Sequence, residues 1–126
     1  MKKYQITLNE NQLRLIAECL EDCSRFMAGQ TDMANCTSKL QNMREVRDQL
    51  KELHRTVVPE LGHGSSYPWN GLGCPNEAQR IFIARSYYLY HEMRHADVVS
   101  RGIDNVYSSP TLRCADSGEP IEIKEV

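Results

Sequence analysis

Between Pro75 and Gly102 the chain reads PNEAQRIFIARSYYLYHEMRHADVVSRG, and this stretch decides the fold. Pro75 and Asn76 suit a helix start, because proline's fixed φ and missing N–H cost nothing in a first turn, and Glu77 complements the positive end of the helix dipole. Apolar side chains then follow at Ala78, Ile81, Phe82, Tyr88, Leu89, Met93, Ala96 and Val99, and Gly102 ends the run. That spacing predicts one long helix over about 76–101, the spine of the molecule.

Upstream, Leu61 to Pro75 holds four glycines and two prolines in fifteen residues, together with the only tryptophan, Trp69. No regular element tolerates that composition, so a long loop is expected, of the kind that more often carries function than joins elements. Before it, Leu40, Met43, Val46, Leu50, Leu53 and Val57 recur every three or four residues to Pro59 and Gly62, predicting a second amphipathic helix over about 36–57. Its seam serves either an intrachain core or a heptad-like contact with a second copy. Further back, Leu13, Ile16, Ala17, Leu20 and Met27 mark a first helix over about 9–29, opened by Thr7-Leu8-Asn9-Glu10 in the form of a capping box and closed by Gly29. Tyr4–Leu8 alternates weakly. Ile121 to Val126 alternates cleanly, after turn-forming residues at Ser108-Ser109-Pro110 and Asp116 to Pro120. The expected architecture is therefore mainly α: a three-helix core plus a small β element of terminal strands that pair with each other or across an oligomer, in one domain spanning 1–126.

Composition excludes several function classes. Fifteen basic against seventeen acidic residues give a net charge of −2 with no concentrated basic face, so duplex nucleic acid is not an expected partner. Met1-Lys2-Lys3-Tyr4-Gln5 runs into polar helix-cap residues rather than an apolar stretch, and no run is long enough to span a bilayer; a cytoplasmic protein is expected. Cys19, Cys23, Cys36, Cys74 and Cys114 are odd in number and lack paired Cys-x-x-Cys spacing, so they read as reduced packing residues rather than a disulfide framework or a zinc site.

One string looks like chemistry. His91-Glu92-Met93-Arg94-His95 fits HExxH, in which two histidines one helical turn apart bind zinc and the glutamate activates a metal-bound water. Two features oppose it. Arg94 stands where zincins carry uncharged residues, and Glu92 falls within the apolar arc of Ile81, Leu89, Ala96 and Val99, facing the core with Arg85 as its partner. A third ligand would have to come from His54, His63, Asp97 or Asp104, without metzincin spacing. Zinc held by His91 and His95 with Glu92 as base therefore stands as an alternative, with no cofactor as the first expectation. The glycines at 62, 64, 71 and 73 do not follow a strand and form no phosphate loop, and Cys74 near His63 lacks an orienting third group.

Ile6 to Glu10, Leu13 to Leu20 and Ser24-Arg25-Phe26-Met27-Ala28-Gly29-Gln30 resemble the opening of a family of small uncharacterised phage and prophage proteins. Those proteins start with a helix ending in Arg, Gly and Gln. Tyr90 with Arg94-His95 resembles the family's later helix, and Ser117-Gly118-Glu119-Pro120 with the alternating tail its closing segment. The family pattern has no required His-Glu pair at His91 and Glu92. The resemblance implies a phage-encoded protein acting in an infected bacterial host, but supplies no activity. Combined with the aromatic loop (Tyr67, Trp69, Asn70) and the arginines and tyrosines of the long helix, it gives the leading expectation: a non-enzymatic, homo-oligomeric binder of a small anionic, nucleotide-like ligand, an anti-defence sponge for an immune signal. Arg25, Gln30, Tyr67, Trp69, Arg94 and His95 are its expected contacts, since aromatic faces stack on bases and guanidinium forks pair with phosphate. A protein-interaction module that blocks a host protein, through the charged second helix or the tail's strand edge, is the alternative from another class.

Overall fold

The computed structural model describes residues 1–103 and 112–126. Among the described residues five α-helices form, in the order α1 (Glu10–Ala28), α2 (Ala34–Thr37), α3 (Met43–Glu52), α4 (His54–Val57) and α5 (Glu77–Ser100), with a 3₁₀ turn later at Ala115–Ser117. Asp104 and the turn at Ser108-Ser109-Pro110 lie outside the described residues.

The outer two helices match their sequence signals. The cap of α1 is Asn9 rather than Thr7: its Oδ1 accepts from the Gln12 backbone N–H at 2.9 Å, and the Gln12 side chain accepts the Asn9 N–H at 2.9 Å. Asn caps at least as well as Thr, and the reciprocal bond moves the box two residues along the chain. At the other end Gly29 adopts φ 109° and Gln30 N–H donates to Arg25 O at 2.8 Å, satisfying carbonyls left over by the last turn. Asn76 caps α5 by accepting from Gln79 N–H at 3.0 Å.

The single helix expected over 36–57 is instead three pieces. Ser38 Oγ and Lys39 Nζ both donate to the Asn35 carbonyl, which a continuing helix would offer to the Lys39 N–H, and that N–H bonds the Cys36 carbonyl instead at 3.3 Å. α3 packs only on α2 and α4 and buries no residue. The expected three-helix core is thus a two-helix core, α1 against α5, with α3 standing off it. The two run antiparallel: Arg14, near the start of α1, pairs with Asp97 near the end of α5 at 3.1 Å, while Ser24 Oγ donates to the Ile83 carbonyl at 3.3 Å.

Among the described residues no strand forms, which corrects the expected β element. Tyr4 and Ile6 are exposed with no ladder beside them, and the tail spends a backbone donor elsewhere: Ile121 N–H bonds the Tyr88 hydroxyl at 3.0 Å. A strand without a paired neighbour has nothing to hold it in register. Among the described residues, no helix is long and apolar enough to cross a membrane.

The densest packing lies where the C-terminal end of α1 meets the N-terminal end of α5. Ala28, Val58, Tyr67, Cys74 and Ile83 form one buried cluster. Tyr67 and Cys74 belong to the glycine-rich loop, so both shoulders of that loop are anchored in the core, and Trp69 is carried between them.

Candidate functional site

Beside this cluster, between α1, α5 and the loop, opens a cavity of about 280 Å³. Arg25, Gln30, Tyr67, Trp69 and Arg94 all border it. Five of the six side chains expected to contact a ligand, drawn from three segments distant in sequence, are thereby brought together. His95 is the exception: it is half-buried and lies outside the lining. One helical step accounts for this, because residues 94 and 95 project about 100° apart on α5.

Each lining residue has a physical reason for its position. The loop is tied to α1 by the Tyr67 N–H, which donates to the Ala28 carbonyl at 2.8 Å, and by the Tyr67 hydroxyl, which donates to Glu60. Burial, with that carboxylate beside it, pushes the Tyr67 hydroxyl pKa well above the usual tyrosine range. Gly29 lets the segments close up, since a Cβ there would stand 3.1 Å from both Val58 Cγ2 and the Ser65 carbonyl. On the opposite wall Trp69 meets Tyr87 with ring centroids 5.9 Å apart, Tyr87 stacks on His91 at 5.5 Å and 20°, and Tyr90 meets Tyr87 edge-on at 5.1 Å. Such offset and edge contacts suit aromatic quadrupoles and hold the wall in one geometry. Burial depresses the His91 pKa, which favours a neutral ring at pH 7. Burial likewise raises the Tyr90 hydroxyl to about 12, so it remains a neutral donor.

The polar floor centres on Glu21, which the sequence reading missed. Its Oε2 accepts from Arg25 Nε at 3.2 Å, Arg25 Nη2 at 3.1 Å and Arg94 Nη1 at 3.2 Å, while Oε1 accepts from Asn35 Nδ2 at 2.8 Å. Arg25 Nη1 also donates to Gln30 Oε1 at 2.8 Å, and Gln30 Nε2 to Ser66 Oγ at 3.3 Å. One buried carboxylate therefore orients two guanidiniums. The i,i+4 spacing of Glu21 and Arg25 was visible in the sequence; the pairing with Arg94, across 73 positions, was not. A smaller cavity of about 160 Å³ shares Glu21, Tyr90 and Arg94 with the first and extends to Arg14, Asp97 and Arg101. There Asp97 accepts from Arg14 and Arg101, and the hydrogen bond from Arg14, reinforced by both positive charges, holds its carboxyl below the usual range.

The HExxH residues are arranged differently from the expectation. Glu92 is half-exposed and Arg85 exposed, so the arc they share faces outward rather than into the core, and no ion pair joins them among the described residues. His91 contributes a ring to the aromatic wall. His54 is buried, with Nε2 bonded to the Ser65 carbonyl at 2.6 Å, and His63 packs edge-on against it. Among the described residues no three His, Cys, Asp or Glu side chains gather as a metal-holding group. All five cysteines are free, and Cys36, hydrogen-bonded to Asp22, has its thiol pushed up to about 11.

Comparison with protein-family models, with curated proteins and with solved structures finds no match to this chain.

Proposed function

We propose that this chain is a non-enzymatic binding protein for a small, anionic, nucleotide-like ligand, encoded by a phage and acting by sequestering a nucleotide-derived immune signal of the infected host. The observation that carries the ligand class is the juxtaposition of two oriented guanidiniums, Arg25 and Arg94, with an aromatic wall containing Trp69 and Tyr87 around one cavity. An anion needs the first and a base needs the second. At about 280 Å³ the cavity sits just under the range of roughly 300–1,000 Å³ common for small-molecule sites, which fits one nucleotide unit. The phage setting rests on the family resemblance of α1, of Arg94-His95 and of the Ser117–Pro120 segment. Capture is the economical role, because the floor holds its arginines ready for an anion.

Because Trp69 is the only tryptophan, its fluorescence reports on the site directly. Titration with adenosine monophosphate and with cyclic dinucleotides should change that emission saturably, and ligand at a hundred times its Kd should add about 2.7 kcal/mol to stability. Arg94→Ala should weaken binding at least ten-fold. Unchanged fluorescence and unchanged melting across the whole nucleotide panel would end this reading.

A second reading, a protein-interaction module, has its own observation. α3 is amphipathic yet buries no residue, and Leu40, three residues before it, and Leu53, just past its end, are exposed. A stable complex recovered with a host protein, and lost on Leu53→Asp, would favour it over the nucleotide site. The zinc alternative, His91 and His95 with Glu92, has no third ligand beside it among the described residues; metal analysis of the purified protein tests it.

A further inference from the structure

α5 carries apolar side chains on its outward arc as well as on its inward one. By helical register, at about 100° per residue, Phe82, Leu89, Met93 and Ala96 fall on the side away from the aromatic cavity. No residue of that arc is buried, and Phe82 is 42% exposed. On α1 the same register turns Ile16, Leu20 and Cys23 to the same side, with Ile16 37% exposed and Cys23 exposed. On the side away from the cavity the antiparallel pair therefore shows an apolar face, which Arg85 and Glu92 border on α5. A surface helix normally places its polar residues on such an arc, and one that is apolar on both sides is normally covered.

We infer that this face is the contact surface between two copies of the chain, α1 and α5 of one packing on α1 and α5 of the other as a four-helix layer. Charge placement selects a second copy over an unrelated partner. The only ionic residues flanking the apolar arc of α5 are Arg85 and Glu92, one of each sign and two helical turns apart, and neither forms an ion pair within the chain among the described residues. A two-fold axis passing between them runs α5 antiparallel to its copy and sets Arg85 beside the partner subunit's Glu92, twice, as an isologous interface requires. The area is also adequate. Two helices about 10 Å across and about 30 Å long present roughly 600 Å² per copy, so the pair buries about 1,200 Å², the lower end of specific interfaces. Because the cavity opens on the other side, each copy keeps its own site, and the inference stands whether or not the ligand is a nucleotide.

Sedimentation equilibrium of the full chain from about 1 to 200 µM tests it. The wild-type chain should be dimeric. Arg85→Glu and Glu92→Arg should each raise the dimer dissociation constant several-fold, the two together should return it toward the wild-type value, and Leu89→Asp should give a monomer with unchanged helical circular dichroism. If Leu89→Asp unfolds, Phe82→Asp at a more exposed position takes its place. A wild-type chain that stays monomeric, a dimer indifferent to the apolar substitution, or a double charge reversal as weak as the single ones would overturn the inference.

Discussion

Asp97 shows how one side chain can tie the two main helices together. Its side chain is 5% exposed and receives guanidinium donors from Arg14 on α1 and from Arg101 just past α5. Its folded pKa lies below the unfolded value, so the stability it contributes is fully present above about pH 4 and is lost as pH falls through the depressed value. Asp97→Asn should therefore cost about 1–3 kcal/mol at pH 7, and the difference from wild type should shrink as denaturant melts are repeated below pH 4. A gap that persists unchanged at pH 2 would mean that packing, not charge, holds this junction. Such pairings are hard to read beforehand. From sequence Asp97 is a possible metal ligand, because residue type gives its chemistry while its partner, Arg14, lies 83 positions away. The same limit explains the Arg85–Glu92 expectation: spacing placed both on one stripe correctly, but which side of the stripe faces the core depends on what packs against it.

Among elements, legibility followed capping. α1 and α5 each have an apolar stripe, an Asn cap and a glycine just beyond the end, and sequence bounds agreed with the structure to within a residue or so. The 36–57 segment has an equally good stripe. However, the Ser38 and Lys39 side chains take the Asn35 carbonyl, and a stripe alone does not reveal that competition. The terminal strands failed for a different reason, because alternation is a property of one segment and a strand is a property of two. Gly29 is the element-scale position most exposed to test. It ends α1 at φ 109° and also lets Val58 and Ser65 approach, so Gly29→Ala carries both backbone strain and a steric conflict. A loss of about 1–3 kcal/mol is expected in thermal or urea unfolding. Because Ala28 O is the acceptor for the Tyr67 N–H, the same variant should also loosen the loop, seen as faster amide exchange at Tyr67.

At the scale of the molecule, the core is small for the chain. Among the described residues ten apolar side chains are buried, three of them alanines, and the largest with almost no exposure are Ile83 and Val58. Ile83→Ala should consequently cost about 2–5 kcal/mol, a large share of the roughly 5–15 kcal/mol that holds a typical domain; a loss below 1 kcal/mol in urea titration would mean the cluster is not where stability resides. The aromatic cavity was legible to a useful degree. Loop composition singled out Tyr67 and Trp69, and the family resemblance singled out Arg25, Gln30 and Arg94, although the carboxylate that organises the arginines did not register, being one acidic residue among seventeen. That carboxylate also bears on the proposed binding role. Since Glu21 already holds Arg25 and Arg94 in place, an anion bound in the proposed role would find its counter-charges pre-arranged and would exchange one ionic partner for another. In the proposed role, retention would then depend on how readily Glu21 yields its share of the guanidinium donors, the resting ion pair acting as a built-in competitor that sets the threshold an anion must exceed to stay.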